Sequence, residues 1–233
     1  MLEITSIGSS SRGNCYLLQS GDSSLLLECG FSIKEIRAGL PVRISSLDGC
    51  LISHEHKDHS KAVRDLLRMA VDCYMTEGTA EIMEVKGHHR VHTIEAGKVM
   101  KVSGWTILPF PVIHDTSEPV GFVIKKGKNK ILYATDTRYL NVTVAGITHL
   151  MVECNYILDL LKENTASGLV PRSVKNRVLR THMGLDTLIK YLRKINTRTI
   201  KQIWLLHLSD LNSDEERILK TVQGITGKEV IIA

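Results

Sequence analysis

Ser53-His54-Glu55-His56-Lys57-Asp58-His59 is the stretch on which the reading of this chain turns. It begins where DGCLIS (48–53), an apolar run that reads as a buried strand, comes to an end. It stops just before Ala62, Val63, Leu66, Leu67 and Ala70, which fall on one helical stripe. On an extended backbone, residues two apart point the same way, so His54 and His56 can offer imidazoles to one metal ion. Past the turn, Asp58 and His59 can face a second ion close by. Neutral imidazole and carboxylate are ligands that zinc and similar divalent ions accept. Four such ligands within six residues at a strand-to-helix junction predict a metal site rather than a polar loop.

Two ions need further ligands, and the sequence has candidates at other strand ends. His114 follows the apolar run PFPVI, Asp136 ends ILYATD, and His207 ends IWLLH. Each is a polar residue closing an apolar strand, where a loop-built site gathers its side chains.

Outward from these motifs, the chain reads as short apolar strands joined by Gly, Asn or Asp turns, with amphipathic helices between. LEITSI, NCYLLQS and SSLLLECG follow one another as strands; THLMVEC and KQIWLLHLSD are buried strands further on. Leu185, Leu188, Ile189, Leu192 and Ile195 mark a helix between those two. No repeat or Pro/Gly/Ser-rich linker divides the 233 residues, which predicts one α/β domain over 1–233. With 43% hydrophobic and 24% charged residues, the chain is neither disordered nor a disulfide miniprotein. No run approaches the roughly 20 apolar residues needed to cross a bilayer, and no secretory signal is evident, so no membrane role is expected. Five scattered cysteines, none in a CxxC pair, read as buried reduced thiols and place the protein in the cytoplasm. A net charge of +5 tolerates an anionic substrate.

SHEHKDH matches the HxHxDH signature of the metallo-β-lactamase superfamily, and His114, Asp136 and His207 follow in that family's order. The chain resembles this family over nearly its whole length. The resemblance implies a four-layer αβ/βα sandwich: two mixed sheets with helices on the outer faces. It implies that His54, His56 and His114 hold one metal, that Asp58, His59 and His207 hold the other, and that Asp136 bridges them. Two divalent ions are expected, zinc first, with manganese or iron also compatible with His and Asp ligands. Members of the family carry Asp-x-Gly in an early strand where this chain has Glu28-Cys29-Gly30; Glu28 takes the place of that acceptor behind the ligands.

A centre of this kind provides hydroxide at neutral pH and neutralises charge on a phosphoryl or carbonyl oxygen. Zinc β-lactamases place a Cys at the second metal and lack the last His of the signature, whereas this chain has His59 and no cysteine at a ligand-like position. The chain is most similar to the RNase Z-like and YycJ/WalJ-like phosphodiesterase branch. There a His-containing turn shortly before the last ligand is implicated at the scissile phosphate, and His182, before His207, matches it. His182 is thus the expected phosphate ligand or general acid beside Asp58. No acidic residue occurs from Asn164 to Leu185, while Arg172, Lys175, Arg177 and Arg180 all do; Arg177 and Arg180 are expected to bind substrate phosphates. GSSSRGN (8–14) is similar to that branch's GSxxGN turn and adds Arg12 and Asn14 as substrate-binding candidates. The expected activity is cleavage of phosphodiester bonds, with nucleic acid as the partner; a small-molecule hydrolase acting on a cyclic phosphodiester or thioester is the alternative. A homodimer is left open. His88, His89 and His92 lack carboxylate companions and read as surface residues.

Overall fold

The computed structural model describes residues 1–233, and its contacts divide them into two compact units. The first comprises Met1–Pro111 and Thr116–Lys128, the second Val112–Asp115 and Asn129–Ala233.

In the first unit, β1 (Leu2–Ser10), β2 (Gly13–Ser20), β3 (Ser23–Leu27), β4 (Gly49–Leu51), β5 (Cys73–Thr76) and β6 (Val91–Ile94) form a six-stranded sheet in sequence order. The first three pair antiparallel through tight turns; β3 to β6 pair parallel, each crossover carrying helix. The crossovers hold α1 (Ile33–Gly39), α2 (Lys57–Ser60), α3 (Val63–Arg68) and α4 (Glu77–Ile82). Ser32 opens α1 with a capping box closed by Glu35, and Thr76 caps α4 through Thr79. Leu17, Leu26, Ile52, Val63, Leu66 and Met75 meet in one buried cluster, which explains the helical stripe after the signature. At roughly 1.5–3 kcal/mol for each buried aliphatic side chain, this packing is what holds the short α3 to the sheet. Cys15, Cys29, Cys50 and Cys73 lie in the same cluster, and all five cysteines are free and buried, as their apolar neighbours predict. The strand expected over 48–53 is regular only over Gly49–Leu51, although Ile52 still donates to the Tyr74 carbonyl. His88, His89 and His92 are exposed at the edge formed by β6.

The second sheet has seven strands in the order β13-β12-β11-β10-β9-β8-β7. Its members β7 (Met100–Val102), β8 (Trp105–Pro111) and β9 (Val120–Lys126) belong to the first unit and pair antiparallel. In the second unit, β10 (Asn129–Ala134), β11 (His149–Glu153), β12 (Gln202–Leu206) and β13 (Glu229–Ile232) all run parallel. Helices α5 (Leu158–Ala166), α6 (Arg172–Thr181) and α7 (Leu185–Lys194) connect β11 to β12, and α8 (Glu215–Thr226) connects β12 to β13. Buried Leu185, Leu188, Tyr191 and Leu192 give α7 the apolar face its spacing predicts. No helix is long and apolar enough to cross a membrane.

Candidate metal centre

Parallel pairing decides which residues meet in the second unit. In-register partners Ala134 with Val152 and Glu153 with Leu206 bring the carboxyl ends of β10, β11 and β12 to one edge. Asp136, Glu153 and His207, which end or follow these strands, therefore gather there. One donor atom from each of Asp136, Glu153, His182 and His207 lies within 4.8 Å of every other. His114 joins them, its Nε2 3.5 Å from Asp136 Oδ2 and its Nδ1 donating to the Thr181 carbonyl at 3.1 Å. Asp136 and His207 have φ of 43° and 54°. Left-handed backbone at a residue other than glycine costs of order 1–3 kcal/mol and is held only where its surroundings fix it.

Glu153 organises this group. Its side chain is fully buried, and Oε2 accepts the backbone N–H of Thr137 (3.1 Å) and of Met183 (2.9 Å). Oε1 faces His182 Nδ1 at 2.5 Å and His207 Nδ1 at 3.1 Å. A carboxylate accepting from Nδ1 fixes the tautomer of both rings and turns each Nε2 away from it. The rings of His182 and His207 stack with centroids 5.3 Å apart. Burial favours a neutral His182, but the charge and hydrogen bond of Glu153 outweigh it and hold the imidazole above its ordinary pKa. Burial works against the Glu153 charge too; His182 and the hydrogen bonds outweigh it, and the carboxyl is held below its ordinary range. The imidazole of His114 is held below its ordinary pKa, chiefly by burial, which favours the neutral ring.

The first unit gathers the other expected ligands at the end of β4. The ring of His54 lies 4.9 Å from that of His56 and 4.1 Å from that of His59. Ser53 Oγ meets His54 Nδ1 at 2.9 Å. Glu55, between the first two histidines, turns away: its carboxylate accepts the Ser117 N–H at 2.8 Å and the Thr79 hydroxyl at 3.4 Å. Glu28, also with positive φ (60°), is wholly buried, accepts the Ser53 N–H at 3.2 Å and lies 3.7 Å from His59 Nδ1. It thus sits behind His59. The segment it starts clamps α2: Cys29 N–H donates to the His59 carbonyl at 2.7 Å, and Ala62 N–H to the Cys29 carbonyl. A Cβ on Gly30 would lie 1.7 Å from the Asp58 carbonyl oxygen, so only glycine fits there.

The substrate-binding candidates fall out differently. Asn14 is fully buried, its amide 3.2 Å from His59 Nε2 and donating to the Ser10 carbonyl, so it steadies His59 rather than facing solvent. Arg12 lines a cleft of about 500 Å³ with Ser11, Gly30, Lys57, Asp58 and Lys61. Arg177 forms a bidentate ion pair with Asp115 (2.8 and 3.3 Å), holding that carboxyl below its usual range, and Arg180 Nε donates to the Asn176 carbonyl. Sequence reasoning passed over Glu153, although its signal was present: a carboxylate closing the apolar run THLMVE, the pattern that singled out Asp136. Asn155 was missed too; it donates to the His207 carbonyl at 2.9 Å.

Imidazole and carboxylate donors gathered this closely fit divalent metal ions. The family model described as "Beta-lactamase superfamily domain" matches residues 24–208. Exodeoxyribonuclease WalJ of Streptococcus pneumoniae is 30% identical over 230 residues, covering 90% of this chain and 82% of the relative. Exodeoxyribonuclease YycJ of Bacillus anthracis is 27% identical over 242 residues, covering 96% and 89%. The crystal structure of the metallo-β-lactamase fold protein YhfI from Bacillus subtilis superposes with a TM-score of 0.79 at 20% identity, covering 100% of this chain and 97% of that one. With the signature, the two mixed sheets and the His/Asp clusters, these matches show that the chain belongs to the metallo-β-lactamase superfamily.

Proposed function

We propose that this protein is a dinuclear metal-dependent phosphodiesterase acting on nucleic acid. The observation that carries the reading is the buried Glu153 carboxylate orienting His182 through Nδ1, and favouring its cationic form, beside Asp136 and His207. That arrangement is built to meet an anion and deliver a proton, the two needs of a departing phosphodiester oxygen. The nuclease names of the WalJ and YycJ relatives support the substrate class.

The ligand set we propose is the one the signature implies: His54, His56 and His114 for one ion, Asp58, His59 and His207 for the other, with Asp136 common to both. Within each unit the structure already draws its share of these residues together. Zinc is the first choice of ion. When bound, two such ions supply an activated water at neutral pH and neutralise charge on a phosphoryl oxygen. The chain's own residues do the rest. Glu153 fixes the ring of His182, and His182 donates from Nε2 to a phosphate oxygen or to the leaving oxygen. Glu28 and Asn14 steady His59. Arg12, Lys57 and Lys61 make the cleft beside Asp58 attractive to a phosphate backbone. Residues 1–233 act as one catalytic domain, and the five free, buried thiols support a cytoplasmic setting.

The test is turnover of labelled DNA, labelled RNA and bis(p-nitrophenyl) phosphate by the metal-loaded protein, its Asp58→Ala variant and its His182→Ala variant. The reading requires nucleic-acid cleavage that falls at least about a hundredfold in both variants, the scale of a lost general acid. Hydrolysis of the small diester alone, indifferent to His182→Ala, would instead establish a small-molecule hydrolase.

A further inference from the structure

A second basic cleft lies wholly within the second unit, away from the clustered ligands. It has a volume of about 340 Å³ and is lined by Lys162, Thr165 and Ala166 from α5 and by Arg172, Lys175 and Asn176 from α6. Both triplets have i, i+3, i+4 spacing, so each is one face of its helix, and the two faces look at each other across the cleft. Tyr156, Leu161 and Val170, with Leu158, Val178 and Leu179 against them, pack the two helices together beneath it. The Val170 N–H donates to the Asn164 carbonyl and fixes the turn between them.

The charge of this cleft is not used by the fold. Arg177 is paired with Asp115 and Arg217 with Asp159, but Lys162, Arg172 and Lys175 enter no ion pair. No carboxylate lines the cleft, and Ala166 leaves room on the α5 side. Three cations held close together without a counter-charge repel one another, and a fold gains nothing from that arrangement unless an anion joins them.

We infer that this cleft binds the sugar-phosphate backbone of the nucleic-acid strand whose reacting phosphate lies at His182, an inference that rests on the nuclease reading above. The geometry of α6 sets the distance. Arg172 begins the helix and His182 follows its last residue, so at 1.5 Å per residue the two are about 15 Å apart, and Lys175 is about 10 Å from His182. At roughly 3.4 Å per stacked nucleotide, the cleft meets phosphates some three to four positions from the reacting one. The cleft therefore selects for length: a dinucleotide cannot reach it and a longer strand can.

The experiment compares a dinucleotide with a single strand of about 12 nucleotides on three metal-loaded proteins. These are the wild type, the triple variant Lys162→Gln/Arg172→Gln/Lys175→Gln, and a control, Lys101→Gln/Lys125→Gln/Lys128→Gln, that removes the same charge from exposed positions elsewhere. Melting curves check that both variants fold. In the wild type the long strand has the lower KM. In the cleft variant that advantage shrinks about tenfold or more at 0.1 M salt, and the slope of log KM against log salt falls by about 2, from three contacts at roughly 0.7 each. The control keeps both the advantage and the slope. Cleavage of the long strand with the wild-type KM and slope in the cleft variant, or an equal loss in the control, overturns the cleft and leaves the nuclease reading standing. Failure of the wild type to bind or cleave either strand while it hydrolyses bis(p-nitrophenyl) phosphate overturns the nuclease reading, and the cleft with it.

Discussion

Replacing Glu153 by Gln keeps the shape of the side chain and removes its charge, and the structure leaves the new amide no good orientation. One oxygen of the carboxylate serves two backbone N–H groups, from Thr137 and Met183, and the other serves Nδ1 of His182 and His207. If the amide oxygen stays on the backbone side, its NH₂ opposes two Nδ1–H donors, and both rings must change tautomer or turn. If it flips, two buried N–H groups lose their acceptor at about 1–3 kcal/mol each. A hydrogen bond to a charged group is worth about 1.5–3 kcal/mol, so the loss at His182 alone corresponds to about a ten- to hundredfold fall in kcat. Metal affinity should fall by a similar factor through His207. The pH dependence has a definite sign. A depressed carboxyl stabilises the fold fully above its ordinary value of 4.5 and loses that contribution as pH falls through its folded value. A raised imidazole stabilises fully below its ordinary 6.5 and loses that contribution as pH rises through its folded value. Glu153→Gln should therefore flatten both flanks of the stability profile. Denaturant unfolding against pH, imidazole NMR of His182, and kcat on bis(p-nitrophenyl) phosphate read these effects together. Wild-type kcat with an unmoved His182 titration would refute the role given to Glu153.

Gly30→Ala places a methyl group 1.7 Å from the Asp58 carbonyl oxygen, so α2 must move; a loss of about 1–3 kcal/mol or more in stability is expected, with reduced metal content, and an unchanged melting temperature would contradict it. Arg177→Ala should raise the Asp115 pKa toward its ordinary 3.8, as seen by carboxyl NMR. Because the pair is exposed, it should cost no more than about 1 kcal/mol, present above that pH and lost as pH falls through the depressed value. The five buried cysteines should all resist a thiol reagent in the native protein and all react once it is unfolded; fast labelling of the folded chain would contradict their burial.

What the sequence made legible was what a short window contains. SHEHKDH carries its chemistry within seven residues, and the apolar runs before His114, Asp136 and His207 mark them as strand ends. The order of strands and helices predicted packed sheets covered by helices, and the family resemblance implied that both sheets are mixed, as found. Glu153 was harder to see because an acid at the end of an apolar strand looks like an ordinary solvated end. Only the parallel register of β11 with β10 and β12 shows that it faces two histidines. Asn14 is a substrate-contact candidate through the likeness of GSSSRGN to the GSxxGN turn, yet the long-range packing of β2 against α2 buries it against His59. Nor does helical spacing by itself reveal that α5 and α6 turn basic faces toward each other, since their adjacency comes from the cluster around Leu161 and Val170.

The most direct test of the dinuclear centre is metal stoichiometry. The protein is stripped with chelator, titrated with zinc or manganese, and analysed for bound metal by mass spectrometry, alongside Asp58→Ala and Asp136→Ala. Two ions per chain in the wild type are predicted, with fewer in both variants and DNA cleavage that appears only as the second ion binds. One ion or none per chain, or cleavage that persists after metal is removed, would contradict the account.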